Sequence, residues 1–176
     1  MSAGDIILLG ISSCLLGERV RYDGNHKRDD LILKQLGPRI HVMSICPEVG
    51  IGLGVPRPPI QLVSEGGAVR AVGVDDPSLD VTEQLTLFAQ QLSPQLQAVS
   101  GFIFKSRSPS CGMHSTECYS ANNDVSLGSG LFAAEIMRRN PRLPVTEEIR
   151  LYDPVARDNF MERVVAYHRR QHTGSG

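Results

Sequence analysis

The sequence predicts an α/β domain with a mostly parallel central sheet flanked by helices, and three observations carry that prediction. Short, almost wholly apolar runs recur at residues 5–13 (DIILLGISS), 40–45 (IHVMSI) and 101–104 (GFIF), the form of strands buried on both faces. Between and after them lie stretches whose apolar residues recur at helical spacing, so strand and helix alternate along the chain. The length, 176 residues with 41% hydrophobic content, suits one domain with its own core. No internal repeat or interdomain linker breaks the pattern, which assigns residues 1–171 to a single domain and 172–176 (HTGSG) to a flexible tail.

The elements follow in order. A polar, glycine-bearing loop leaves the first strand and leads to residues 30–36 (DLILKQL), a short helix stopped by Gly37-Pro38. The second strand, 40–45, enters CPEVGIGLGVPRPP (46–59), too rich in Gly and Pro for helix or central strand and therefore an ordered loop. Residues 60–63 and 69–72, separated by SEGGA, read as a β-hairpin. Leu85, Phe88, Leu92, Leu96 and Val99 give helical spacing over 81–99, with Pro94 kinking or splitting the element. After the third strand, KSRSPSCG opens a polar loop extending to Gly130. Residues 131–139 (LFAAEIMRR) form a helix, PVTEEIRL has mixed strand character, and 154–170 closes the chain as a helix with proline at its first position.

Charge and cysteine usage narrow the function. Eighteen basic against nineteen acidic residues give a formal charge of -1, which offers no electrostatic footprint for nucleic acid or an anionic membrane. MSAGDIILLG lacks the positive start and long apolar region of a secretory signal, and no apolar stretch reaches the roughly 20 residues of a membrane span. A cytoplasmic protein, monomeric or a small homo-oligomer, with a small-molecule partner is expected. Thiols there stay reduced, so four cysteines point to metal ligation, catalysis or burial more than to disulfides.

Ligands of an open parallel sheet gather outside the carboxyl ends of its strands. Cys14 directly follows the first strand, Cys46 the second, and Cys111 lies in the loop leaving the third, so three cysteines remote in sequence can converge on one edge. Each alone reads as a small buried hydrophobe. Their surroundings, SSCLLG, ICPEVG and SPSCGM, are rich in Ser, Gly and Pro, which permit tight turns and leave N–H groups free to face a thiolate or sulfide. Three thiolates can hold zinc or an iron–sulfur cluster; the absence of a C-x-x-C pair argues against a zinc ribbon. Cys118, in HSTECYSANND, reads as a bystander, and His114 as a loop residue.

These blocks, together with RYDG, CPEVGIGLGVPR, KSRSPSCG and the late NFMERV, resemble the thiouracil desulfidase family and span most of the chain in order. The resemblance implies an α/β fold carrying a [4Fe-4S] cluster held by Cys14, Cys46 and Cys111, at the carboxyl ends of the strands. It further implies non-redox conversion of thiolated pyrimidines such as 4-thiouracil to the oxo product and sulfide, with sulfur captured on the iron that has no protein ligand. A structural zinc protein, or a cluster enzyme acting on another thiolated nucleoside or metabolite, is the alternative.

Such a reaction needs a titratable group near the metal. Glu48, two residues after Cys46, is the expected acid or base, since burial tends to raise a carboxylate pKa. Ser106, Ser108 and Ser110 alternate before Cys111, and an extended segment would turn them to one face; Ser106 is assigned as catalytic partner and Ser108 as substrate contact. Asp23 is assigned as a hydrogen-bond partner for the heterocycle, beside its reading as a turn residue. Lys105 and Arg107 are expected on the opposite, solvated side. Gly50, Gly52 and Gly54 precede VPRPP and no helix, which excludes a nucleotide loop and leaves close backbone approach as their role.

Overall fold

The computed structural model describes residues 6–173. Four strands, β1 (Ile7–Ser12), β2 (Ile40–Ile45), β5 (Gly101–Phe104) and β8 (Val145–Glu147), form a wholly parallel sheet in the order β2-β1-β5-β8. The order reverses at β1, whose two neighbours are entered by chain segments running in opposite directions, and a crevice opens at such a point. The expected central sheet is therefore present, with the limits of its three expected strands within two residues of the expectation; the fourth, β8, takes up only the start of PVTEEIRL.

Alternation along β5 explains why both faces are covered. Phe102 and Phe104 share one face and stack with centroids 4.3 Å apart, while Phe132 of α4 (Leu131–Arg139) meets them edge-on at 6.2 and 6.4 Å. Such aromatic pairs contribute about 0.5–1.5 kcal/mol each beyond their buried area. This face is completed by α3 (Thr82–Leu92) through Ala89 and Phe88. On the other face Leu9, Ile11 and Ile103 pack against Ile32 of α1 (Asp30–Gln35) and Phe160 and Val164 of α5 (Pro154–Thr173). Asp29 caps α1 by accepting from the N–H groups of Leu31 and Ile32. The helix expected over 81–99 divides at Pro94, continuing as a 3₁₀ turn, Gln95–Ala98. Helix α5 runs through Thr173, two residues into the segment assigned to the tail, and residues 174–176 lie outside those described. No helix among the described residues is long and apolar enough to cross a membrane.

A second sheet was only half anticipated. The hairpin of β3 (Ile60–Glu65) and β4 (Ala68–Gly73) matches expectation, but β6 (Thr116–Ser120) and β7 (Val125–Gly128) form in the stretch read as polar loop. Their alternation is masked because β7 is exposed and β6 buries only Thr116 and Cys118. The sheet order is β4-β3-β6-β7, with β3 and β6 parallel through Leu62–Cys118. One hairpin is inserted after β2 and the other after β5. Their pairing ties the loop after Cys46 to the loop after Cys111.

Candidate functional site

All four strands of the parallel sheet deliver groups to its carboxyl edge. β1 runs into a 3₁₀ turn, Ser13–Leu16, that carries Cys14. β2 is followed by Cys46 and one helical turn, α2 (Pro47–Gly50), a departure from the loop expected there; Cys46 is its N-cap residue and Pro47 its first helical residue. β5 is followed by residues 105–111, and β8 by Glu148. Cys14, Cys46, Cys111, Glu48, Ser106 and Ser108 all line one cavity of about 400 Å³. The convergence expected of the three cysteines is therefore observed.

Burial dominates the thiols. It pushes Cys14 up to about 11, against the pull of Lys105 and Arg21. It raises Cys46 against the backbone N–H groups of Val49 and Glu48, and raises Cys111 against a hydrogen bond from Ser12. The thiols also raise one another: Cys46 acts on Cys14, and both act on Cys111. The donor set suits a partner that brings positive charge of its own. The loop at Cys111 is closely packed: a side chain on Gly130 would lie 2.4 Å from the Ser110 backbone, and one on Gly112 would strike Thr116 and the Ser108 carbonyl.

Two carboxylates flank the cysteines, each with a serine and a cation. Ser110 Oγ donates to Glu48 Oε1 at 2.5 Å, and Arg57 Nε donates to Glu48 Oε2 at 2.7 Å. Ser106 donates to Glu148 through both its backbone N–H and its hydroxyl, at 2.7 Å each, and Lys105 Nζ reaches Glu148 Oε1 at 2.6 Å. Ser108 Oγ accepts the N–H groups of Ser110 and Cys111, at 3.3 and 3.0 Å. All three serines line the cavity, but so do Lys105 and Arg107, contrary to the expected alternation. Arg107 has φ +61°, which breaks the extended run on which that alternation depended.

Asp23 stands apart. It is exposed, does not line the cavity, and accepts the Asn25 N–H at 3.0 Å, the geometry of a turn residue. Its neighbour Tyr22 lines the cavity and is the one aromatic residue among the described residues that does so. Cys118 is 2% exposed and packs with Leu62 and Leu85 in the core of the second sheet, away from the other thiols.

The sequence model of the 2-thiouracil desulfurase family matches residues 9–148, from β1 to the glutamate after β8. The chain belongs to that family. The solved structure of the [4Fe-4S]-dependent thiouracil desulfidase TudS superposes with a TM-score of 0.62 and 30% identity, covering 85% of this chain and 94% of that one. The uncharacterised protein YbbK of Bacillus subtilis (strain 168) is 30% identical over 145 residues, which are 79% of this chain and 95% of that protein.

The cysteines and Glu48 lie at the edge where the sequence places them, whereas the pairings of Arg57 and Ser110 with Glu48 and of Lys105 with Glu148 arise from tertiary packing. Glu148 was detectable in principle. It directly follows a short strand of the parallel sheet, where the same carboxyl-end rule that found the cysteines applies.

Proposed function

We propose that this protein is a [4Fe-4S]-dependent desulfidase that replaces the thiocarbonyl sulfur of a thiolated pyrimidine, such as 4-thiouracil, by oxygen from water. The single observation that carries the reading is the meeting of Cys14, Cys46 and Cys111 in one cavity, in a chain of this family. The donors fit the cluster better than zinc. Among the described residues no three or more Cys, His, Asp or Glu side chains are grouped to hold one metal ion, whereas structural zinc needs its donors about 2.0–2.3 Å from a single centre. A cluster takes one thiolate per iron and so accepts more widely spaced ligands.

A cluster held by Cys14, Cys46 and Cys111 would supply one iron without a protein thiolate, a Lewis-acid position suited to a soft thiocarbonyl sulfur. The chain's own groups handle orientation and protons. Overall, C=S and water give C=O and hydrogen sulfide, so both protons of the attacking water leave oxygen and two reach sulfur, with no electron transferred. Glu48 takes the proton from water on the cavity wall, with Ser110 hydrogen-bonded to its Oε1. Ser106, whose hydroxyl proton points to Glu148, is the second proton-handling group. Ser108 receives backbone N–H groups at its oxygen, so its own O–H is available to a substrate carbonyl. Tyr22 offers a ring on which a planar base can stack. Asp23, outside the cavity, is left as a turn residue.

A specific observation favours a phosphorylated substrate over the free base. Arg21, Lys27 and Arg107 line the cavity, and none has a close carboxylate partner among the described residues beyond a 3.8 Å contact of Arg21 with Asp23. Arg21 Nε is buried without a hydrogen-bond partner. Protein purified and assayed without oxygen is expected to consume the thiocarbonyl absorbance of 4-thiouracil, its nucleoside and its 5′-monophosphate. The monophosphate should show a KM about tenfold or more below the base, the scale of one charge-assisted contact, and that advantage should shrink at high salt. Turnover of none of the three opposes the desulfidase reading; equal KM values oppose only the phosphate preference.

A further inference from the structure

We propose that Arg57 is a positioning residue that fixes the Glu48 carboxylate, an inference that rests on the catalytic reading of Glu48. Arg57 and Glu48 pair at 2.7 Å with side chains only 4% and 12% exposed. A buried ion pair is a weak source of stability, because its desolvation cost rivals its attraction and an apolar pair of similar volume serves as well. Its presence calls for another reason.

The loop between the two residues supplies one. Gly52 and Gly54 have φ of +88° and +76°, values that side-chain-bearing residues rarely adopt. They turn the chain back so that Arg57, nine residues after Glu48, returns to it. Three further contacts hold the arrangement: Arg57 Nη1 donates to Gly54 O at 2.9 Å, the Arg57 N–H donates to Tyr22 O at 2.9 Å, and Leu53 N–H donates to Glu48 O at 3.1 Å. The glycine series of CPEVGIGLGVPR thus builds an acid and its counter-ion into one segment. The outcome is a carboxylate held at both oxygens, Oε2 by Arg57 and Oε1 by Ser110. Donors at both oxygens fix the carboxylate plane, which sets the line along which Glu48 meets a proton on the cavity side. A lysine at position 57 keeps the charge but not the planar fork that fixes this direction.

A double-mutant cycle on the cluster-loaded enzyme tests this. Iron and acid-labile sulfide, melting temperature, kcat and KM for 4-thiouracil are measured for wild type, Glu48→Gln, Arg57→Lys, Arg57→Gln and the two double variants. Arg57→Gln should lower kcat by about 10- to 100-fold with KM within about twofold and full cluster content, and Arg57→Lys should lie between it and wild type. In the Glu48→Gln background either Arg57 substitution should cost less than about threefold more, because nothing remains to be positioned. An equal loss in both backgrounds, or a wild-type kcat in Arg57→Gln beside a disabled Glu48→Gln, overturns the proposal. Should Arg57→Gln fail to fold or load its cluster, the Arg57→Lys arm decides: wild-type kcat with full cluster overturns it, and a loss confined to the Glu48 background supports it. Normal turnover in Glu48→Gln instead overturns the catalytic reading beneath it.

Discussion

Glu48→Gln is expected to keep iron and sulfide at wild-type content and to lower turnover of 4-thiouracil on the order of 100-fold or more, the usual scale for a lost proton-transfer group. Glutamine preserves the shape of the side chain that lies between Arg57 and Ser110 and can still accept at one oxygen, so the wall of the cavity keeps its form. What it cannot do is take a proton from water. The buried Arg57 loses its counter-ion, so the melting temperature falls as well, and turnover is measured well below that temperature. Near-normal turnover with a full cluster removes Glu48 from the chemistry.

Single replacement of Cys14, Cys46 or Cys111 by Ser is expected to abolish or severely reduce the brown colour, the bound iron and the activity. Cys118→Ser should retain all three. The contrast follows from position: the first three line the cavity at the ends of β1, β2 and β5, while Cys118 is enclosed by apolar neighbours between the hairpins. Its replacement buries a hydroxyl and costs about 1–3 kcal/mol of stability. Iron per chain and visible absorbance after anaerobic purification are the measurements. A Cys118 variant as colourless as the other three requires a fourth protein ligand and removes the open iron on which the mechanism depends.

The parts of the site legible in the sequence were those set by strand ends. A buried parallel strand announces itself as a short apolar run, and whatever follows it sits at the sheet's carboxyl edge; that logic located Cys14 and Cys46, and Cys111 through the loop after β5. Tertiary pairing was not legible. Arg57 meets Glu48 only because two positive-φ glycines reverse the loop, and Lys105 meets Glu148 only because β8 lies beside β5. An extended chain would turn Ser106, Ser108 and Ser110 alone to one face; all three line the cavity, but the turn at Arg107 brings Lys105 and Arg107 there as well. Strands β6 and β7 escaped notice because their order comes from pairing with β3, where Leu62 lies opposite Cys118, and not from a hydrophobic pattern of their own.

The source of the new oxygen separates hydrolytic from reductive desulfuration. The anaerobic, cluster-loaded enzyme is given 4-thiouracil in ¹⁸O-labelled water with no electron donor, and uracil and sulfide are quantified together. Many turnovers per enzyme are expected, with one labelled oxygen in each uracil and one sulfide released for each. Turnover that stops without a reductant, or uracil formed without the label, contradicts hydrolytic desulfuration.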